Sequence, residues 1–291
     1  MRTQQRLLAA VTLGVILGVS GLAQAQYNFT TIDVPGSTAT AVNANSPHAI
    51  AGEFDDAYGN THGFVLNNGV YTQINVPGAI YTSVNGINAN GELSGISVEA
   101  NGRRHGYFRS ETGVFTTLDP PGSIRTQAEF LNAQGDVVGV YRDASQTRHG
   151  FIWSNGVYTT FDVPGSAAPL GTVGLGINDH GDVAGDYVTV DGHRHGFVES
   201  AGVYTTLDVP GALLTVAEGI NNPGEIVGLY VDAHFNQHGF VLSDGVYTTI
   251  DVAGPDSQTG VFSINAQGQI VGSYTDAGGI THGYVGTPVG K

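Results

Sequence analysis

Six histidines each precede a glycine and an aromatic ring: His62, His105, His149, His195, His238 and His282 open His-Gly-Phe or His-Gly-Tyr. An imidazole in such a setting serves as a metal ligand, an acid–base catalyst or a hydrogen-bonding pin. Intervals of 43, 44, 46, 43 and 44 residues favour the pin. A group found in every copy of a repeat is expected of what builds the repeat, and six imidazoles so spread do not reach one ion. A hairpin turn follows each of the first five histidines, as Asp244-Gly245 does in "HGFVLSDGVYTTIDV". Asn-Gly and Asp-Gly supply the two positive-φ residues that a type I′ turn requires. Counting outward from the turns sets His238 opposite Asp251, His149 opposite Asp162, His195 opposite Asp208 and His62 opposite Asn75. His105 reaches Asp119 after a one-residue insertion, and His282 meets Asp33 from the other end of the chain. Opposed side chains stand about 5 Å apart, so a hydrogen bond is expected in each pair, with the imidazole above the aromatic two residues on.

Two further sets of residues carry chemistry where the copies differ. Glu129 and Glu218 each lie three residues before the asparagine of a turn, where the other copies hold Thr40, Asn85, Leu175 and Phe262. Two carboxylates from different copies beside one channel suit acid–base work on a glycoside; wet channel positions are also polar by default. Beyond residue 25 the chain has seven arginines, all between residues 103 and 194. Arg103, Arg104, Arg125, Arg142, Arg148 and Arg194 fall at loops or strand ends of one expected face, and Arg109 points the other way. Arginine's planar fork suits carboxylate, sulfate or phosphate. The alternative is that these arginines balance Glu99, Asp143, Asp186 and Asp191 in surface pairs worth little.

The elements that hold these groups are strands. No stretch has helical periodicity, and short runs rich in Val, Thr, Tyr and Ile are cut by Gly, Asn, Asp and Pro, the pattern of strands and turns. One copy reads "TVAEGIN", turn, "EIVGLYVD", loop, "HGFVLS", turn, "VYTTIDV": four strands in about 44 residues, the period of a propeller blade. Asn43, Asn88, Asn132, Asn178, Asn221 and Asn265 are read as opening the first turn of each copy. The N-terminal "YNFTTIDVPG" is a fourth strand without its first three, and the C-terminal copy has three without a fourth. A closed ring explains both ends, since Phe29–Asp33 then completes the last blade and no sheet edge stays open. The fold expected is all-β: a six-bladed propeller of four-stranded antiparallel blades.

Residues 1–25 read as a signal peptide. Arg2 and Arg6 precede an apolar run, Leu7 to Val19, and Ala23-Gln24-Ala25 has the small-x-small form of a cleavage site. The expectation is one domain, residues 26–291, secreted to the periplasm or beyond. Ten basic residues less Arg2 and Arg6 leave 8 against 25 acids, a net charge of −17, which phosphate polymers repel. Nucleic acid is therefore not an expected partner, and no membrane span follows residue 25. The chain has no cysteine, which excludes disulfides and thiolate chemistry. Calcium at Asp55-Asp56, Asp143, Asp232 or Asp276 lacks any recognised loop spacing, so no metal or cofactor is expected.

The repeat resembles the bacterial HAF-repeat family of predicted extracellular proteins. The matching residues are Gly219-Ile220-Asn221, Gly224, Val227-Gly228 and His238-Gly239-Phe240, with glycine where the family has alanine. The resemblance implies secretion and a propeller, and implies no chemistry. The function expected is that of a monomeric secreted binding module for an acidic glycan or protein ligand. The alternative is a polysaccharide hydrolase or lyase using Glu129 and Glu218.

Overall fold

The computed structural model describes residues 23–24, 27–254 and 257–289. Within these residues there is no helix, and six four-stranded antiparallel sheets follow one another around a ring. We number the blades 1 to 6 in the order of their histidines, His62 to His282. Blade 5 is typical, with strands Leu214–Ile220, Ile226–Val231, Gln237–Ser243 and Val246–Ile250 from the channel outward. Its last turn has φ +51° at Asp244 and +78° at Gly245, as the type I′ reading requires.

The aromatic of each His-Gly-Phe/Tyr fills its blade. Phe64, Phe151, Phe197, Phe240 and Tyr284 are wholly buried, as is Tyr107 to within 1%. Each contributes about 2–3 kcal/mol of burial. The two tyrosines keep their hydroxyls satisfied, Tyr107 on the Ser83 carbonyl and Tyr284 on that of Gly260. Two glycines per copy make room for this packing. A Cβ on Gly228 would lie 1.9 Å from the Val216 carbonyl oxygen, and one on Gly239 would lie 2.7 Å from Val261 of the next blade. Apolar clusters then occupy the six junctions between blades; that of blades 5 and 6 joins Val227, Val241 and Ile250 to Val261, Ile264, Ile270 and Tyr284.

The ring closes through the chain's own N-terminal strand. Tyr27–Ile32 is the outermost strand of blade 6 and pairs antiparallel with Thr281–Pro288, Thr31 opposite Tyr284. The segment read as a signal peptide lies outside the described residues, except for Ala23–Gln24. Those two residues pair in parallel with Thr248 and Thr249, as a fifth strand on blade 5. No helix among the described residues is long and apolar enough to cross a membrane.

Candidate functional site

The turn geometry brings every histidine onto its opposite neighbour through Nδ1. The distances are 3.0 Å to Asn75 for His62, 2.7 Å to Asp119 for His105, 2.9 Å to Asp162 for His149 and 2.9 Å to Asp208 for His195. His238 meets Asp251 at 2.8 Å, and His282 meets Asp33 at 3.1 Å across the closure. The rings do not sit over the aromatic two residues on. They lie against the cross-strand neighbour on the second strand: Phe54, Tyr141, Tyr187, Tyr230 and Tyr274, with centroids 5.1–5.5 Å apart. Opposed positions are closer than i and i+2 along a strand, and the i+2 ring is committed to the blade core. Blade 2 has Ser97 in that place, and no hydrogen-bond partner stands at the buried Nε2 of His105.

A second acidic neighbour was not foreseen. Nε2 of His62, His238 and His282 faces Asp56, Asp232 and Asp276 at 3.2, 3.4 and 3.4 Å. Glu99 and Asp143 lie 3.5 and 3.6 Å from His105 and His149. The sequence signal is an acid six residues before the histidine in every copy but the fourth, where Thr189 replaces it. The aspartates of this set also accept loop amides; Asp232 takes the N–H groups of His234 and Asn236. The loop amides hold Asp232 and Asp276 below the usual carboxylate range, and the Ser145 hydroxyl, then loop amides, do the same for Asp143.

The six arginines at issue share one end of the blades. Arg104, Arg125, Arg148 and Arg194 begin strands, Arg142 ends one and Arg103 directly precedes one, while Arg109 closes its strand at the far end beside Phe115. Their partners divide them. Arg194 holds Asp186 through two bonds of 2.6 and 2.8 Å, and Arg103 lies 3.5 Å from Asp119. Arg104 donates to Gln127 at 3.2 Å. In blade 3 Arg125 stands opposite Arg142, which stands opposite Arg148. Among the described residues no carboxylate lies within 4 Å of these three. Arg125 and Arg148 are held below the usual arginine value, by burial first and by neighbouring arginines after it. Of the four acids expected to balance the arginines, only Asp186 does so. The row flanks a small cleft of about 90 Å³ that also includes Gln127 and Tyr141.

Glu129 and Glu218 both border one cavity in the channel. Each innermost strand carries a bulge, and a bulge re-aims a side chain. The residues it turns into the channel are Asn43, Asn85, Glu129, Leu175, Glu218 and Phe262. Blade 1 therefore places Asn43 there and not Thr40. Its first turn starts at Ser46, whose N–H bonds the Ala49 carbonyl, because the Asn-x-x-Gly turn is replaced by "SPH" and the copy shifts by three residues. Asn43 is not a turn residue. Thr40 is instead buried and bonds the Val34 N–H. The bulge residues line a cavity of about 250 Å³. Glu129 accepts from Asn85 at 2.8 Å and Gln127 at 2.9 Å. Burial pushes its carboxyl up, against those two bonds. Burial, then Asp186, push Glu218 up to about 8.

No protein-family model matches the chain, and no curated protein does. Among solved structures, the chain is similar to the β-propeller domain of the Trilobed protease from Pyrococcus furiosus, at 8% identity and a TM-score of 0.54 over 88% of this chain and 96% of that one. It is similar to AofleA from Arthrobotrys oligospora, at 13% identity and a TM-score of 0.52 over 90% and 86%. It is similar also to a gluconolactonase from Xanthomonas campestris, at 12% identity and a TM-score of 0.54 over 94% and 99%. At such identities the likeness is one of fold, and the fold is a six-bladed β-propeller.

Proposed function

We propose that this propeller is a binding module whose arginine face captures an anionic glycan. The carrying observation is the in-register row Arg125, Arg142 and Arg148, without carboxylate partners among the described residues. Like charges placed directly opposite one another destabilise a sheet, so the row is a cost to the fold that a bound anion relieves. Repeated uronate or sulfate groups along a sugar chain match a row of guanidinium forks. A net charge of −17 for residues 26–291 (8 − 25) argues against indiscriminate retention of anions. Secretion, the setting of such glycans, is supported by Arg2, Arg6 and the apolar run to Val19, and by the resemblance to HAF-repeat proteins. The alternative, hydrolysis or lysis of a polysaccharide by Glu129 and Glu218, gains from their bordering one cavity. It loses from that cavity's size, which suits one small molecule.

The test is chromatography on immobilised polygalacturonate, with immobilised polyglutamate as the acidic-protein comparison. Wild type is expected to be retained on polygalacturonate at low salt and released as salt screens the contact. The triple variant R125Q/R142Q/R148Q should lose more than tenfold in affinity while melting no lower than wild type, since the like-charge repulsion goes with the arginines. R103Q, whose arginine already faces Asp119, should be retained like wild type. Equal elution of the triple variant and wild type overturns the proposal, as does stronger retention on polyglutamate.

A further inference from the structure

The channel cavity is untouched by the arginine reading and has a different chemistry. Three carboxyl groups border it, Glu53, Glu129 and Glu218, together with the rings of Tyr81, Phe130 and Phe262. Two of the carboxyls are engaged by protein: Glu53 accepts from the Tyr81 hydroxyl at 2.5 Å, and Glu129 accepts from Asn85 and Gln127. Glu218 is half-buried at the cavity wall, and its carboxyl has no hydrogen-bond partner among the described residues. The nearby Asp186 raises its pKa, and Arg194, whose guanidinium is bonded to both Asp186 oxygens, offsets only part of the rise.

A carboxyl that borders a cavity without a protein donor takes its partners from whatever fills that cavity. An anion is excluded by the three carboxyls. A bare metal ion needs several oxygens converging at short range, and no three His, Asp or Glu side chains among the described residues are so arranged. A neutral molecule gains nothing from the acidic crowding. An organic ammonium ion gains from it, and it also gains from ring faces, which attract a diffuse cation within about 6 Å. We propose that the channel cavity binds a small organic ammonium ion, with Glu218 as its counter-carboxylate and Tyr81, Phe130 and Phe262 as its aromatic walls.

The proposal has a pH signature. With its value raised to about 8, Glu218 is mostly protonated at neutral pH. A bound cation favours the ionised form, so binding releases a proton, and by reciprocity deprotonation strengthens binding. Affinity should climb by about tenfold per pH unit below that value and level off above it.

Calorimetric titration of the whole protein with methylammonium, tetramethylammonium and choline, from pH 6 to 9, tests this. The uncharged choline isostere 3,3-dimethylbutan-1-ol serves as control. Expected are binding of at least one cation, at least tenfold weaker binding of the isostere, and the stated pH profile with proton release at pH 7. E218Q should lose at least tenfold and lose the pH profile while melting no lower than wild type. R125Q/R142Q/R148Q should bind the cation unchanged, which separates this site from the glycan reading. Equal binding of choline and its isostere, absence of binding by all three cations at millimolar concentration, or an unaltered E218Q overturns the proposal.

Discussion

Each histidine of the repeat, except that of blade 4, stands between two oxygen-bearing neighbours. His282 shows the balance most clearly. Burial lowers its pKa, but hydrogen bonds to Asp33 and Asp276 outweigh burial and raise it above 6.5. A raised folded-state value means the charged form stabilises the fold. That contribution is complete below about pH 6.5 and is lost as pH rises through the folded value. Asp276 has the opposite sign: its folded value is lowered, so its contribution is present above about pH 4 and is lost on acidification. The melting difference between wild type and H282Q should therefore be largest near pH 5.5–6 and shrink above pH 7. A difference that grows with pH would show that the imidazole acts in its neutral form. The partner on Nδ1 was legible in the sequence because Asn-Gly and Asp-Gly turns fix register to the residue. The partner on Nε2 was not, although the constant six-residue spacing from Asp232 to His238 and Asp276 to His282 encoded it; those aspartates were weighed for calcium and not as partners of the histidines.

At the scale of the element, the innermost strand is where a blade is joined to its neighbours. Val76, Val163, Val209 and Val252 donate their N–H groups to the buried hydroxyls of Thr82, Thr172, Thr215 and Thr259, as Val34 does to Thr40. Blade 3 departs because Pro120 has no N–H to donate, and Thr126 turns to Ser123. At the other end of the strand the turn asparagine spans the junction. Asn88, Asn132, Asn178 and Asn221 each donate Nδ2 to the next blade's Asn132, Asn178, Asn221 and Asn265 carbonyl. Asn178 uses all four of its hydrogen-bonding positions: it accepts from the His180 and Asp182 amides and donates to Asp182 and Asn221. It is 3% exposed. N178A should therefore cost about 2–4 kcal/mol, the loss of several bonds with buried groups left unpaired. The urea midpoint should fall at constant m-value; a loss below about 0.5 kcal/mol, the level of an ordinary surface change, would show that the junction does not depend on this relay. The sequence announced the turn but not the bond across it, because a turn asparagine looks locally satisfied. Blade 1 was misaligned for a related reason: with no Asn-x-x-Gly to mark its turn, only the bulge shows that Asn43 and not Thr40 matches Glu218.

For the whole molecule the governing feature is that six junctions bear on one another. Opening any one of them weakens two blades, and the junction most open to test is the one made by the N-terminal strand. Tyr27–Ile32 supplies the whole fourth strand of blade 6, Phe29 lies edge-on to the buried Tyr284 at 5.7 Å, and Val34 joins the apolar cluster shared by blades 6 and 1. His282 has Asp33 on the same segment. The split of one blade was legible because a fourth strand precedes the first full copy and the last copy has three strands without a fourth, whereas the channel's contents were not, since they depend on bulges that no repeat pattern marks. Deleting residues 26–35 exposes the full edge of Thr281–Pro288 and removes that burial. The cost should be several kcal/mol, against a total of about 5–15 for a domain. Such a loss alone does not separate a missing strand from a damaged fold, and a peptide does. A synthetic peptide of residues 26–35 added to the truncated protein should bind the folded ring and stabilise it by mass action, about 2.7 kcal/mol at a hundred times its dissociation constant. Melting temperature should then rise with peptide concentration, and a scrambled peptide should leave it unchanged. A truncated protein that melts with the full-length chain would mean that blade 6 stands without its fourth strand, and the ring would owe its closure to the apolar junctions alone.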